Sequence, residues 1–155
     1  MINIPIKAYD PIIEILRNHL LSNSELASFV TYTDSDGNPD QAIYPSYMDE
    51  VENPVYPSIT ICMDNGKTLK NRTGYEEKWY YIHGWSKNSP DEVAYLKNLV
   101  IDILDYDPIR GNKVPEFAMI RNVSPTKCPL YDGTVRTHYM ITSWLIHAKK
   151  SLINT

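Results

Sequence analysis

The chain has 155 residues, long enough for a sizeable core and short enough for a single domain spanning 1–155. Its composition, 43% hydrophobic and 22% charged, is ordinary for a folded protein. With 15 basic and 19 acidic residues the net charge is -4, which gives no general attraction to nucleic acid or to an acidic membrane surface.

Other global features narrow the field further. Twelve tyrosines stand against two phenylalanines. Tyrosine joins an apolar body to a polar tip, so it suits half-buried sheet faces and protein interfaces. The opening M-I-N-I-P-I-K lacks the apolar region of a secretory signal, and no apolar run approaches membrane-spanning length. Cys62 and Cys128 lie far apart without C-x-x-C spacing, so a reduced, cytosolic pair is expected.

In chain order, Asp10 and Pro11 predict the cap and first position of a helix whose apolar side is Ile12, Ile13, Leu16 and Leu20. Glu25 to Val30 adds one helical turn carrying Leu26 and Phe29 inward. Residues 31–41 read as a loop. Asp34, Asp36 and Asn38 alternate as in a calcium loop, but Pro39 and Pro45 stand where such a loop needs Gly and Glu, so Asx turns explain the composition better. Ala42 to Tyr44 is a short strand, followed by an acidic loop over 46–55. Ser58 to Met63 is a strand with Ile59, Ile61 and Met63 on one face.

The loop from Asp64 to Gly74 carries a turn signal at Asn65-Gly66 and gathers Lys67, Lys70 and Arg72. With Tyr75 these form the candidate assembly-interface loop. Glu76 to Trp85 is the central strand: Trp79, Tyr81, His83 and Trp85 fall on one face, Lys78, Tyr80, Ile82 and Gly84 on the other. Large side chains on both faces point to burial on both, by helices on one side and a partner on the other.

The helix over Pro90 to Leu104 is the best-specified element. Ser89 and Glu92 stand at capping-box spacing, Pro90 takes the first position, and Asp91 and Glu92 lie at the positive end of the helix dipole. Val93, Leu96, Val100 and Ile103 form its apolar stripe, with Leu99 and Leu104 beside them. Glu116 to Val123 is a further strand, with Phe117, Met119 and Arg121 opposite Ala118, Ile120 and Asn122. Asp132-Gly133 turns the chain into a last strand over Thr134 to Ala148, and the tail 149–155 is expected to be loose. The predicted fold class is α+β: an antiparallel four- to five-stranded sheet with two main helices packed on one face, leaving a Tyr- and Trp-rich face available.

No nucleotide-binding fingerprint, nucleophile elbow or metal-ligand spacing is present in the sequence, so no catalytic residue, cofactor or metal is assigned. His83 and His138 lie on Trp-bearing strands and are candidates for cross-sheet neighbours. If the chain were a small cytosolic enzyme or ligand-binding domain, His83, His138 and Tyr81 would be the first residues to inspect.

The order of landmarks carries a resemblance. A helix I-I-E-I-L-R-N-H-L-L precedes S-E-L-A-S-F-V. A strand Y-P-S-I-T-I, a polar loop, a strand ending H-G-W-S, a capped helix and a closing T-H-Y-M-I-T-S-W-L-I-H follow. Over about residues 10–148 this resembles the tail terminator proteins of tailed bacteriophages, also called tail completion or tail-to-head joining proteins. The resemblance implies a structural virion protein without enzymatic activity. Such a protein forms a homo-oligomeric ring, usually a hexamer, on the head-proximal end of the tail tube. The ring ends polymerisation of the tail tube protein and joins the head-tail connector or neck protein, and genome DNA passes through its lumen without specific binding. A neck or head-closure adaptor, or a tube-like structural subunit, is the alternative within the same setting.

Overall fold

A computed structural model describes residues 10–45, 51–64, 71–72, 75–124 and 129–149, with the backbone alone at 71, 72 and 75. The chain opens with α1 (Pro11–Leu21) and α2 (Ser24–Val30). The hairpin β1 (Thr31–Thr33) and β2 (Pro39–Gln41) follows, then β3 (Ile43–Tyr44), β4 (Ser58–Met63), β5 (Asn71–Arg72) and β6 (Tyr75–Ser86). The third helix, α3, spans Pro90–Leu104, and β7 (Phe117–Asn122), β8 (Leu130–Asp132) and β9 (Thr137–Lys149) complete the chain. The fold is α+β, with three helices and a mostly antiparallel mixed sheet among the described residues.

The caps at Asp10 and Ser89 form where the sequence places them, and Asn23 supplies a further one for α2. Asp10 Oδ1 accepts the Ile12 N–H at 2.9 Å with Pro11 at the first helical position, Asn23 Oδ1 accepts the Leu26 N–H at 3.0 Å, and Ser89 Oγ accepts the Glu92 N–H at 3.2 Å. Glu92 departs from the capping-box expectation. Its carboxylate takes Ser86 Oγ at 2.9 Å and Asn88 Nδ2 at 3.3 Å, tying the start of α3 to the end of β6.

The main sheet follows the path β3-β4-β6-β9-β7, with β5 alongside β6 and β8 alongside β9. Its spine is the antiparallel pair β6–β9, which runs in register from Tyr75↔Lys149 to Ser86↔His138. The sheet is not wholly antiparallel: β3 lies parallel to β4, with Ile43 opposite Ile59.

Alternation along β6 splits the sheet into two faces. Tyr80, Ile82 and Gly84 face α3. A Cβ built on Gly84 would sit 3.2 Å from Leu96 Cβ, so glycine lets the helix approach closely there. Tyr80, fully buried on the same face, donates its hydroxyl to Asp10 Oδ2 at 2.5 Å, so the residue that caps α1 also fastens that helix to the sheet. Ile12, Leu16, Leu20, Leu26, Leu96, Ile61, Ile82, Trp144 and Ile146 share one buried cluster. Inside it, Trp144 Nε1 donates to Thr142 Oγ1 at 2.7 Å, and Thr142 Oγ1 donates to the Ile82 carbonyl at 2.8 Å. The polar atoms of this layer are satisfied where water is excluded.

Several expectations change. Residues 31–41 form the β1–β2 hairpin rather than a plain loop; its tip is the expected Asx turn, with Asp34 Oδ1 accepting the N–H groups of Asp36 and Asn38 at 2.9 Å. In β7 the register shifts between Phe117 and Met119, a β-bulge. Phe117 therefore pairs with Ala148 and is buried with Ile120, while Ala118 is exposed, so Phe117 does not share a face with Met119 and Arg121. The stretch at Thr134–Arg136 turns rather than pairs. Asp132 Oδ1 accepts the N–H groups of Thr134 and Val135 at 2.8 and 3.3 Å, and the short β8 precedes the turn. No helix of the described residues is long and apolar enough to cross a membrane. Of the tail expected to be loose over 149–155, Lys149 ends β9 in register with Tyr75, and 150–155 lie outside the described residues.

Candidate interaction face

The face of the sheet opposite α3 is built by period-two alternation on two long strands. From β6 come Trp79, Tyr81, His83 and Trp85. Cross-strand pairing sets Tyr139, Ile141, Ser143 and Leu145 of β9 beside them. The ring of Trp85 stacks on Tyr139 at 5.0 Å and on His83 at 5.7 Å, and His83 approaches Tyr139 at 6.4 Å and Tyr81 at 6.3 Å. The face is half-buried: Trp79, Tyr81, His83 and Tyr139 retain partial exposure and Ile141 is 37% exposed.

Polar tips at the edge of the cluster are held. Tyr81 donates its hydroxyl to Asp64 Oδ2 at 2.8 Å, and Trp85 Nε1 donates to Thr60 Oγ1 at 2.9 Å. His83 is one exception, alongside the buried Ser58 hydroxyl. Its Nδ1 is shielded from solvent and has no hydrogen-bond partner, and burial pushes its pKa from 6.5 down to about 4. The groups around it are the Tyr81, Trp85 and Tyr139 rings, with Thr60 and Ile141 across the strands. None of these carries charge near neutral pH, so the imidazole is neutral there. An aromatic surface with hydroxyl and indole tips, flanked on the same face by Glu77, Arg121 and His147, is equipped for contact with another protein.

The structure separates residues that the sequence left as possible neighbours. His83 pairs with Ile141 and faces away from α3, whereas His138 pairs with Ser86 on the opposite face and packs against Tyr131 at 5.1 Å. His83 and His138 therefore form no joint site. Tyr81 and His83 do come together. In the candidate assembly loop, Lys67 and Lys70 lie outside the described residues. Arg72 and Tyr75 are opposed across the β5–β6 hairpin by their backbones, and their side chains lie outside the described ones. Cys62 is a buried thiol, its Sγ 4.0 Å from the Tyr81 carbonyl, and Cys128 lies outside the described residues.

Sequence reasoning missed a concavity. A groove of about 450 Å3 beside β3 is lined by Tyr32, Thr33, Asp34, Ser35, Glu52, Asn53 and Val55. Tyr44 of β3 positions its far wall by accepting the Val55 N–H at 3.0 Å on its hydroxyl. Tyr32 donates to Asp40 Oδ2 at 3.2 Å; burial first, then the Asp40 charge, pushes its phenol up to about 12, so the phenol keeps its proton. Its residues lie about twenty positions apart in sequence, and no local pattern joins them. Among the described residues no group of three or more His, Cys, Asp and Glu is placed to hold a metal ion. No protein-family model and no curated protein matches this chain.

Proposed function

We propose that this chain is a structural subunit of a phage tail terminator: a ring that caps the tail tube, ends its polymerisation and joins the tail to the head connector. The observation that carries the reading is the half-exposed aromatic face of β6 and β9. It presents a neutral histidine and hydroxyl tips, with the Asp64 carboxylate held by the Tyr81 hydroxyl. With α1 and α3 gathered on the other face, the subunit is a one-sided sandwich that offers its aromatic side to a neighbour. The landmark order in the sequence supplies the kind of assembly, and a closed ring follows where heterologous contacts rotate each subunit by the same closing angle.

The net charge of -4 suits a lumen that lets DNA pass without holding it, since phosphate contacts would come from Lys and Arg. The loop of Lys67, Lys70, Arg72 and Tyr75 is the proposed assembly loop. Negative-stain electron microscopy of the purified chain tests the reading. Annular particles with a central hole are expected; a field of compact single subunits would contradict it.

A further inference from the structure

Two surface features remain without a role. One is the turn between α3 and β7. Asp107 N donates to the Gly111 carbonyl at 3.0 Å and Gly111 N returns to the Asp107 carbonyl at 2.6 Å. Asp107 Oδ1 also accepts the N–H groups of Ile109 and Arg110, at 2.8 and 3.2 Å. These backbone donors hold the Asp107 carboxyl below its usual range. Gly111 closes the turn at φ +82, a conformation that favours glycine.

The base of this turn is fastened to β7. Asp105 Oδ1 accepts the Asn122 N–H at 2.8 Å, and Asn112 Nδ2 donates to the Val114 and Phe117 carbonyls at 2.9 and 2.7 Å. At the tip stands Ile109, 94% exposed, with exposed Arg110 next to it. A lone exposed apolar side chain is ordinary on a protein surface. One held out by a turn closed through four backbone donors is preorganised, so little ordering remains to be done on contact.

The other feature is the groove beside β3. Its lining includes Tyr32 and Val55 together with the acidic residues Asp34 and Glu52. The groove is formed by the β1–β2 hairpin and the segment before β4, and the turn lies between α3 and β7, so the two are separate surfaces of the chain. Turn and groove are complementary in kind: an isoleucine for Tyr32 and Val55, and an arginine for Asp34 and Glu52.

We infer that the occupant of the groove is a second copy of this chain, whose Ile109 enters between Tyr32 and Val55 while its Arg110 meets Glu52 and Asp34. The contact is heterologous, turn to groove, and repeats from subunit to subunit. The inference rests on the ring reading and names the surfaces that close the ring.

Sedimentation velocity on the full chain and two surface variants tests it. Ile109→Asp spoils the turn tip and Glu52→Arg spoils the groove; both positions are exposed, so the fold is retained, as circular dichroism will show. Each variant is expected to weaken self-association at least about tenfold and sediment as a monomer where the wild type is assembled. Mixed, they retain one good groove and one good tip between them. They should therefore pair into a two-chain species of about 36 kDa, twice 17.9 kDa. Variants that assemble like the wild type would overturn the contact and leave the ring reading standing. A mixture that stays monomeric would overturn the pairing of these two surfaces. A wild type that is monomeric at every concentration would overturn both the contact and self-assembly.

Discussion

His83 makes stability depend on pH in a way that one substitution can isolate. Its side chain sits in a neutral aromatic cluster, with Nδ1 lacking a partner and a pKa lowered by burial to about 4 from 6.5. Between those two values the unfolded chain takes up a proton that the folded chain refuses. The stability due to this group is therefore full above pH 6.5, declines as pH falls, and reaches its floor near pH 4. At 1.36 kcal/mol per pH unit the loss is about 3 kcal/mol. His83→Phe keeps an aromatic ring against Trp85 and Tyr139 and removes both the titration and the orphaned nitrogen. A buried unsatisfied nitrogen costs about 1–3 kcal/mol, so at pH 7.5 the variant should be at least as stable as the wild type. Urea unfolding from pH 7.5 to 4 measures both chains. Carboxylates elsewhere lower both curves, so the difference between the two is the readout. It should grow by about 3 kcal/mol toward the acid end. Parallel curves would refute the argument that His83 is buried without a compensating partner.

Three further perturbations probe the fold and the assembly. Gly84→Val should cost about 1–3 kcal/mol in denaturant unfolding, because the new side chain meets Leu96 at the closest approach of α3 to the sheet; an unchanged midpoint would show that α3 is not seated there. Asp10→Ala should cost about 2–4 kcal/mol, since it removes the α1 cap and strands the buried Tyr80 hydroxyl, while Tyr80→Phe should cost only about 1 kcal/mol because the cap survives. Equal costs would mean that the cap contributes nothing. Lys70→Glu with Arg72→Glu should reduce assembly in light scattering while leaving the unfolding midpoint within about 0.5 kcal/mol of wild type; unchanged assembly would remove this loop from the interface.

The helices were legible in the sequence because their signals are local. Asp10-Pro11 and Ser89-Pro90 state where α1 and α3 begin, and the apolar spacing states which side is buried. The two faces of β4, β6 and β9 were legible for the same reason, since alternation needs no knowledge of the neighbour. What crosses between strands was not. Whether His83 meets His138 or Ile141 is fixed by register, and one position of slip exchanges the faces. The bulge that turns Phe117 inward leaves no mark in composition. Glu92 reaching Ser86 rather than closing a capping box depends on how β6 enters α3. The groove of Tyr32, Glu52 and Val55 is assembled from segments that only the fold brings together. The turn tip at Ile109 was readable as a loop, but its rigidity comes from backbone bonds to Asp107 and from the anchors on β7.

The central claim is that this chain builds a ring from copies of itself. Its most direct test is the solution mass by light scattering across a concentration series. The account predicts a species near six times 17.9 kDa, about 107 kDa, that persists on dilution as a closed ring should. A mass of 17.9 kDa at every concentration would contradict it.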